Sequence, residues 1–169
     1  MNLKLENKRV LVSGSTSGIG AGIARTFAAE GATVVINGRR AQAAQQVATS
    51  IHEAGGKAII ALGDLATDEG ADSVLQKIAS ELGGVDILVN NAAGGGHQNS
   101  LETPVEQWTA SYNSNVLSMV RLIQRVLPAM KEQRWGRIIN ISSAAAAKPA
   151  PGMEVYTATK AAVNNLTVS

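Results

Sequence analysis

The chain has 169 residues, 45% of them hydrophobic, and 15 Lys and Arg against 13 Asp and Glu leave a formal charge of +2. That length suits a single domain over residues 1–169, while scattered basic residues and 3% aromatics argue against nucleic-acid binding. The absence of cysteine excludes disulfides, thiolate metal sites and cysteine nucleophiles.

The N-terminal segment from Met1 to Arg9 is charged throughout and lacks the apolar stretch of a signal peptide. No apolar run approaches the length of a membrane span, so the expectation is a cytoplasmic protein that does not enter a membrane.

An apolar run from Lys8 to Ser13 predicts the first strand. It breaks into Gly14-Ser15-Thr16-Ser17-Gly18-Ile19-Gly20, after which a helical pattern runs to Glu30. Gly14 suits a tight turn off the strand, Gly18 a close approach of main chain to a pyrophosphate, and Gly20 tight helix packing, with phosphate facing the helix N-terminus. Such a turn is either a nucleotide cradle or a structural strand-to-helix connection, and the missing Gly-Lys-Ser/Thr excludes a Walker loop.

A second strand is predicted over Thr33 to Asn37, followed by Asn37-Gly38-Arg39-Arg40 and a helix from Ala41 to Ala54. A site selective for NAD carries an acid near this point to hold the ribose hydroxyls, whereas arginine accommodates a 2′-phosphate. No acid is present, and an arginine fork meets phosphate bidentately, so Arg39 and Arg40 favour NADP(H) over NAD(H). The bland alternative is that both arginines merely solvate a loop.

Lys57 to Leu62 predicts the third strand, ending in Gly63-Asp64, and Thr67 to Leu82 the third helix. Val85 to Asn90 predicts the fourth strand, followed by Asn90-Asn91-Ala92-Ala93-Gly94. The polar, glycine-rich stretch Gly94 to Ser100 is expected to border the pocket. One long helix is predicted from Pro104 to Glu132, then a fifth strand from Arg137 to Ser142 and a last helix from Glu154. Neither His52 nor His97 has a metal-spaced companion, so no metal site is expected.

Alternation of strand and helix implies parallel pairing, and strands apolar on both faces suit an α/β doubly wound, Rossmann-like sheet. Every polar cluster named above then falls at the strands' C-terminal ends, where ligands sit in such sheets. In the last helix Tyr156 and Lys160 are four residues apart, which brings an ammonium to the same face as a phenol.

Taken together, the glycine turn, Asp64-Leu65, Asn90-Asn91-Ala92, Asn115, Ile139-Asn140-Ile141-Ser142-Ser143 and Tyr156 with Lys160 resemble the short-chain dehydrogenase/reductase family. The likeness spans essentially the whole chain and is greatest to its compact subgroup, similar to 3-oxoacyl carrier protein reductases. It implies strand order 3-2-1-4-5 with the family's last strands missing, and hydride transfer between NADP(H) and a small-molecule carbonyl or alcohol substrate.

Residue by residue, the resemblance implies that Tyr156 is the general acid in reduction and the base in oxidation. It makes Ser143, rather than Ser142, the group that polarises the carbonyl. Lys160 would hold the nicotinamide ribose and favour phenolate; an ammonium ~4 Å away contributes on the order of 4 kcal/mol at an effective dielectric of about 20. Asn115 would position a water in the proton relay, and Asp64 and Asn91, with Leu65 and Ala92, would line the adenine and ribose path.

Two departures stand out: Ser13 replaces the family's threonine with its hydroxyl kept, and Ala93 replaces a glycine, with Gly94 to Gly96 following. The family's usual length also leads to the expectation that the natural protein is longer, a homodimer or homotetramer when complete, with the edge of the fifth strand covered by a further strand. A catalytically silent nucleotide-binding or interaction protein is the alternative function.

Overall fold

The structure, a computed structural model, describes residues 3–94, 102–149 and 151–169. Five parallel strands form one sheet: β1 (Arg9–Val12), β2 (Thr33–Gly38), β3 (Lys57–Leu62), β4 (Ile87–Asn90) and β5 (Arg137–Asn140), in the order β3-β2-β1-β4-β5. The sheet is doubly wound as the alternating pattern predicts; β3 has the expected bounds, β2 runs one residue further, and β1, β4 and β5 stop one or two residues short of their apolar runs at one or both ends.

Successive side chains of a strand point to opposite faces, and here both faces are buried. Val10, Val12, Val34, Ile36, Ile87 and Val89 pack on one side with α1 (Gly18–Ala29) and α2 (Ala41–Glu53). Leu11, Val35 and Leu88 pack on the other with α3 (Asp68–Leu82) and α5 (Ser118–Glu132). These residues lie at 0–3% exposure, which explains the near-continuous apolar runs of β1, β2 and β4. Among the described residues β5 pairs with β4 alone, and its other edge carries no strand.

Local chemistry sets the helix ends. Thr67 accepts a hydrogen bond from the Gly70 N–H at 3.0 Å to cap α3, and Gly83, at φ +76°, ends it in the left-handed region.

The single helix predicted from Pro104 to Glu132 is a correction. The structure has α4 (Val105–Tyr112), a π-helical turn over Asn113–Leu117, and then α5. The widened turn contains Asn115, which is fully buried and hydrogen-bonded in four directions; a residue held from outside its own helix is a common setting for a π-bulge. The last helix, α6 (Glu154–Val168), packs against this turn through Val163, Val116 and Met119. Among the described residues no helix is long and apolar enough to cross a membrane.

Candidate active site

At the C-terminal ends of β1 and β4 two loops are tied together by one hydroxyl. Ser13 Oγ accepts from the N–H groups of both Asn91 and Ala92 at 2.9 Å, and Asn91 Nδ2 donates back to the carbonyls of Ser13 and Gly14 at 3.0 and 3.1 Å. The serine thus serves where a threonine is usual, because the hydroxyl alone makes these contacts. Gly14 has φ +62°, and a Cβ there would lie 2.8 Å from the Ala92 Cα, so both conformation and space demand glycine. Gly20 packs against the Asn91 amide.

Ser15 and Asn37 brace the neighbouring edge. Ser15, fully buried, accepts from the Asn37 N–H at 2.9 Å, while Asn37 accepts from the Gly14 N–H at 3.3 Å and donates to the Ala61 carbonyl at 3.0 Å. Ser17 is the N-cap of α1 and makes no side-chain cap bond, so its hydroxyl leaves the first-turn N–H groups unclaimed. Ile19 is 71% exposed.

A cleft of about 980 Å³ runs along these loops. Gly14, Thr16, Ser17, Asn37, Arg39, Arg40, Asp64, Leu65, Asn91 and Ala92 line it, whereas Ser15, Gly18, Ile19, Gly20, Asn115, Ser143, Tyr156 and Lys160 do not. Arg39 Nη1 lies 3.6 Å from Asp64 Oδ2 at one end. The Leu65 side chain belongs to the core at 5% exposure. Gln107, Ser111, Ser114 and Ser118 form the facing wall. Sequence reasoning passed over them, although small polar residues at helical spacing on an otherwise amphipathic segment are a usable signal. Of the segment expected to border the pocket, Gly94 lines the cleft, and residues 95–100, His97 included, lie outside the described residues.

Asn115 joins three elements. Its Oδ1 accepts from the Gly94 N–H at 2.7 Å and from Ser114 Oγ at 3.3 Å, and its Nδ2 donates to Ser111 Oγ at 3.3 Å and Thr159 Oγ1 at 3.1 Å. Thr159, a residue the sequence did not single out, in turn donates to the Tyr156 carbonyl at 2.8 Å.

Lys160 is 3% exposed, with Nζ 2.7 Å from the Ile141 carbonyl oxygen and 5.9 Å from the centre of the Tyr156 ring. Burial pushes its ammonium below the ordinary lysine value. Ser142 Oγ donates to the Lys160 carbonyl at 3.3 Å, tying the exit of β5 to α6. Ser143 caps the short 3-10 turn Ala144–Ala146 by accepting from the Ala145 N–H at 3.2 Å. That turn packs against α6, the helix that carries Tyr156 and Lys160. His52 sits on the surface, its Nε2 3.0 Å from the Ala58 carbonyl oxygen, and among the described residues no three potential metal ligands gather.

The sequence pattern of the short chain dehydrogenase family matches residues 8–169. The 7alpha-hydroxysteroid dehydrogenase of Escherichia coli (strain K12) is 38% identical over 165 residues, which is 98% of this chain and 64% of the relative. A solved 7alpha-hydroxysteroid dehydrogenase complexed with NADH and 7-oxo glycochenodeoxycholic acid superposes with TM-score 0.93 at 38% identity, covering 98% of this chain and 64% of that one. L-sorbose reductase from Gluconobacter frateurii, complexed with NADPH and L-sorbose, gives TM-score 0.94 at 35% identity with the same coverage of 98% and 64%. The chain therefore spans less than two thirds of the length of these relatives. With the parallel sheet, the glycine turn and the Tyr156–Lys160 helix in place, the chain belongs to the short chain dehydrogenase family of oxidoreductases.

Proposed function

We propose that this chain is the dinucleotide-binding and proton-transferring part of an oxidoreductase that interconverts a small-molecule carbonyl and an alcohol with NADP(H), with Tyr156 as general acid and base. The observation that carries this reading is the buried Lys160 ammonium, which among the described residues has no carboxylate partner and lies 5.9 Å from the Tyr156 ring. Burying an uncompensated cation is costly, and a helix that needed only to pack on the sheet would carry an apolar side chain there.

The residues present fit a dinucleotide. Gly18 has φ +53°, and a Cβ built on it meets nothing within 4 Å, leaving an open approach to the uncapped first turn of α1. On this reading the backbone from Gly14 to Gly20 holds the pyrophosphate, with Ser15 braced beneath it and Thr16, Ser17 and Ile19 around it. Asn37, Arg39 and Arg40 face the 2′-phosphate, and Asp64, Leu65, Asn91 and Ala92 flank the adenosine. Relatives divide, one solved with NADH and another with NADPH, and two consecutive arginines after β2, with no acid in that stretch of sequence, favour NADP(H).

When bound, the nicotinamide supplies or accepts the hydride. Tyr156 Oη gives its proton to the carbonyl oxygen in reduction and takes it back in oxidation. Ser143 Oγ, which accepts from Ala145, keeps its own hydrogen free to donate to that oxygen. Lys160 Nζ, on the helix that carries the phenol, would hold the nicotinamide ribose when the cofactor is bound. Asn115 contributes by fixing the π turn, since its carboxamide already makes four hydrogen bonds. Exposed Val105, Tyr112 and Leu117 on α4 and the π turn support pairing between copies of this chain.

Fluorescence titration with NADPH and NADH, joined to a panel of carbonyl substrates, tests the reading. Tighter binding of NADPH and turnover that Tyr156→Phe abolishes without loss of cofactor binding are expected. Full activity of Tyr156→Phe removes the proposed acid, and binding without turnover favours a catalytically silent nucleotide-binding protein.

A further inference from the structure

Building on the reading that the cleft takes NADP(H), we propose that Asp64 limits how strongly this site prefers a 2′-phosphate to a free 2′-hydroxyl, by opposing Arg39. Among the described residues that line the cleft, the formal charges are Arg39, Arg40 and Asp64 alone. All three gather at one end, and the backbone places them there. In the β2–β3 ladder Gly38 stands opposite Leu62, and the Gly63 N–H donates to the Gly38 carbonyl at 3.1 Å. The two chains therefore leave the sheet side by side, with Arg39 and Arg40 on one and Asp64 on the other.

The two partners are not equally free to move. Asp64 Oδ1 is anchored by the Ala66 N–H at 3.0 Å, and its Oδ2 lies 3.6 Å from Arg39 Nη1. The Arg39 side chain is 76% exposed on a long flexible stem, so it can turn toward a ligand while the carboxylate stays in place. A phosphate that engages Arg39 must draw the guanidinium from Asp64 and then remains within a Debye length, about 8 Å, of a fixed negative charge. A 2′-hydroxyl meets neither penalty. Exposed ion pairs are weak, which makes Asp64 a tuning residue rather than a switch. Any contact Asp64 makes with the rest of the adenosine is common to both cofactors and cancels in their ratio.

Asp64→Asn, titrated with NADPH and NADH at low and high salt, tests the inference. The ratio of the NADH to the NADPH dissociation constant is expected to rise about two- to fivefold at low salt and to fall back toward the wild-type ratio near 0.5 M salt, where charges are screened. A ratio that stays the same or falls overturns the role given to Asp64 while leaving NADP(H) binding intact. Wild-type protein that binds neither cofactor overturns the functional reading itself, and this inference with it.

Discussion

Asn115 Nδ2 and Thr159 Oγ1 are joined by a 3.1 Å hydrogen bond between residues at 0% and 2% exposure, fastening the π turn to the helix that carries Tyr156 and Lys160. Thr159→Val keeps the shape of the side chain and leaves the buried amide without that partner. A loss of about 1–3 kcal/mol in unfolding free energy is expected, with Thr159→Ser recovering most of it. Urea denaturation of the three proteins checks this, and a valine variant as stable as wild type shows that the bond contributes nothing.

The sheet was legible because its strands are short Val- and Ile-rich runs separated by turns, and both faces of β1, β2 and β4 are buried. The polar clusters at its C-terminal edge could be placed from chain order alone. The π turn could not, since the pattern from Pro104 to Glu132 stays helical and amphipathic throughout. Within it Asn115 accepts from the Gly94 N–H and donates to Thr159 Oγ1, 21 and 44 residues away. The long-range half of the Asn115 hydrogen bonds and the facing of Arg39 by Asp64 depend on which segments the fold brings together, and no local spacing encodes that.

Arg9 and Asp86 fasten the opposite end of the sheet. Asp86 Oδ2 accepts from the Arg9 N–H at 2.9 Å and Nε at 2.8 Å, and Oδ1 accepts from Nη2 at 2.7 Å. The guanidinium holds the Asp86 carboxyl below its usual range despite the opposing effect of burial. A depressed folded-state value means stability that is present above the unfolded value and lost as pH falls through the folded one. Asp86→Asn is expected to cost about 1–3 kcal/mol at pH 7, a cost that diminishes as the wild type is acidified below pH 4. Parallel acid-denaturation curves for the two proteins contradict the linkage.

Lys160 has the opposite sign. Burial lowers its folded-state value beneath the ordinary 10.5, so the unfolded chain binds more protons in the window between the two. Stability from this group therefore rises with pH across that window, and the burial cost is largest below it. The stability of wild type relative to Lys160→Met is expected to increase as pH climbs toward 10.5, read by denaturant unfolding at each pH. A constant difference shows that the ammonium carries no desolvation penalty, and removes the argument that a function maintains it.

Gly20 and Gly22 lie two residues apart in α1 and face different surroundings. A Cβ at Gly20 would sit 2.5 Å from both the Asn91 amide nitrogen and the Gly14 carbonyl oxygen, whereas one at Gly22 meets nothing within 4 Å. Gly20→Ala forces the helix away from the loops that Ser13 ties together, at a cost of about 1–3 kcal/mol, and loosens the cleft beside them. Gly22→Ala removes only the conformational cost of a mid-helix glycine and is expected to stabilise the protein by roughly 0.5–1 kcal/mol. Thermal unfolding of both variants, with NADPH titration of each, separates close packing from mere flexibility. Equal effects at the two positions mean that Gly20 is not needed for space.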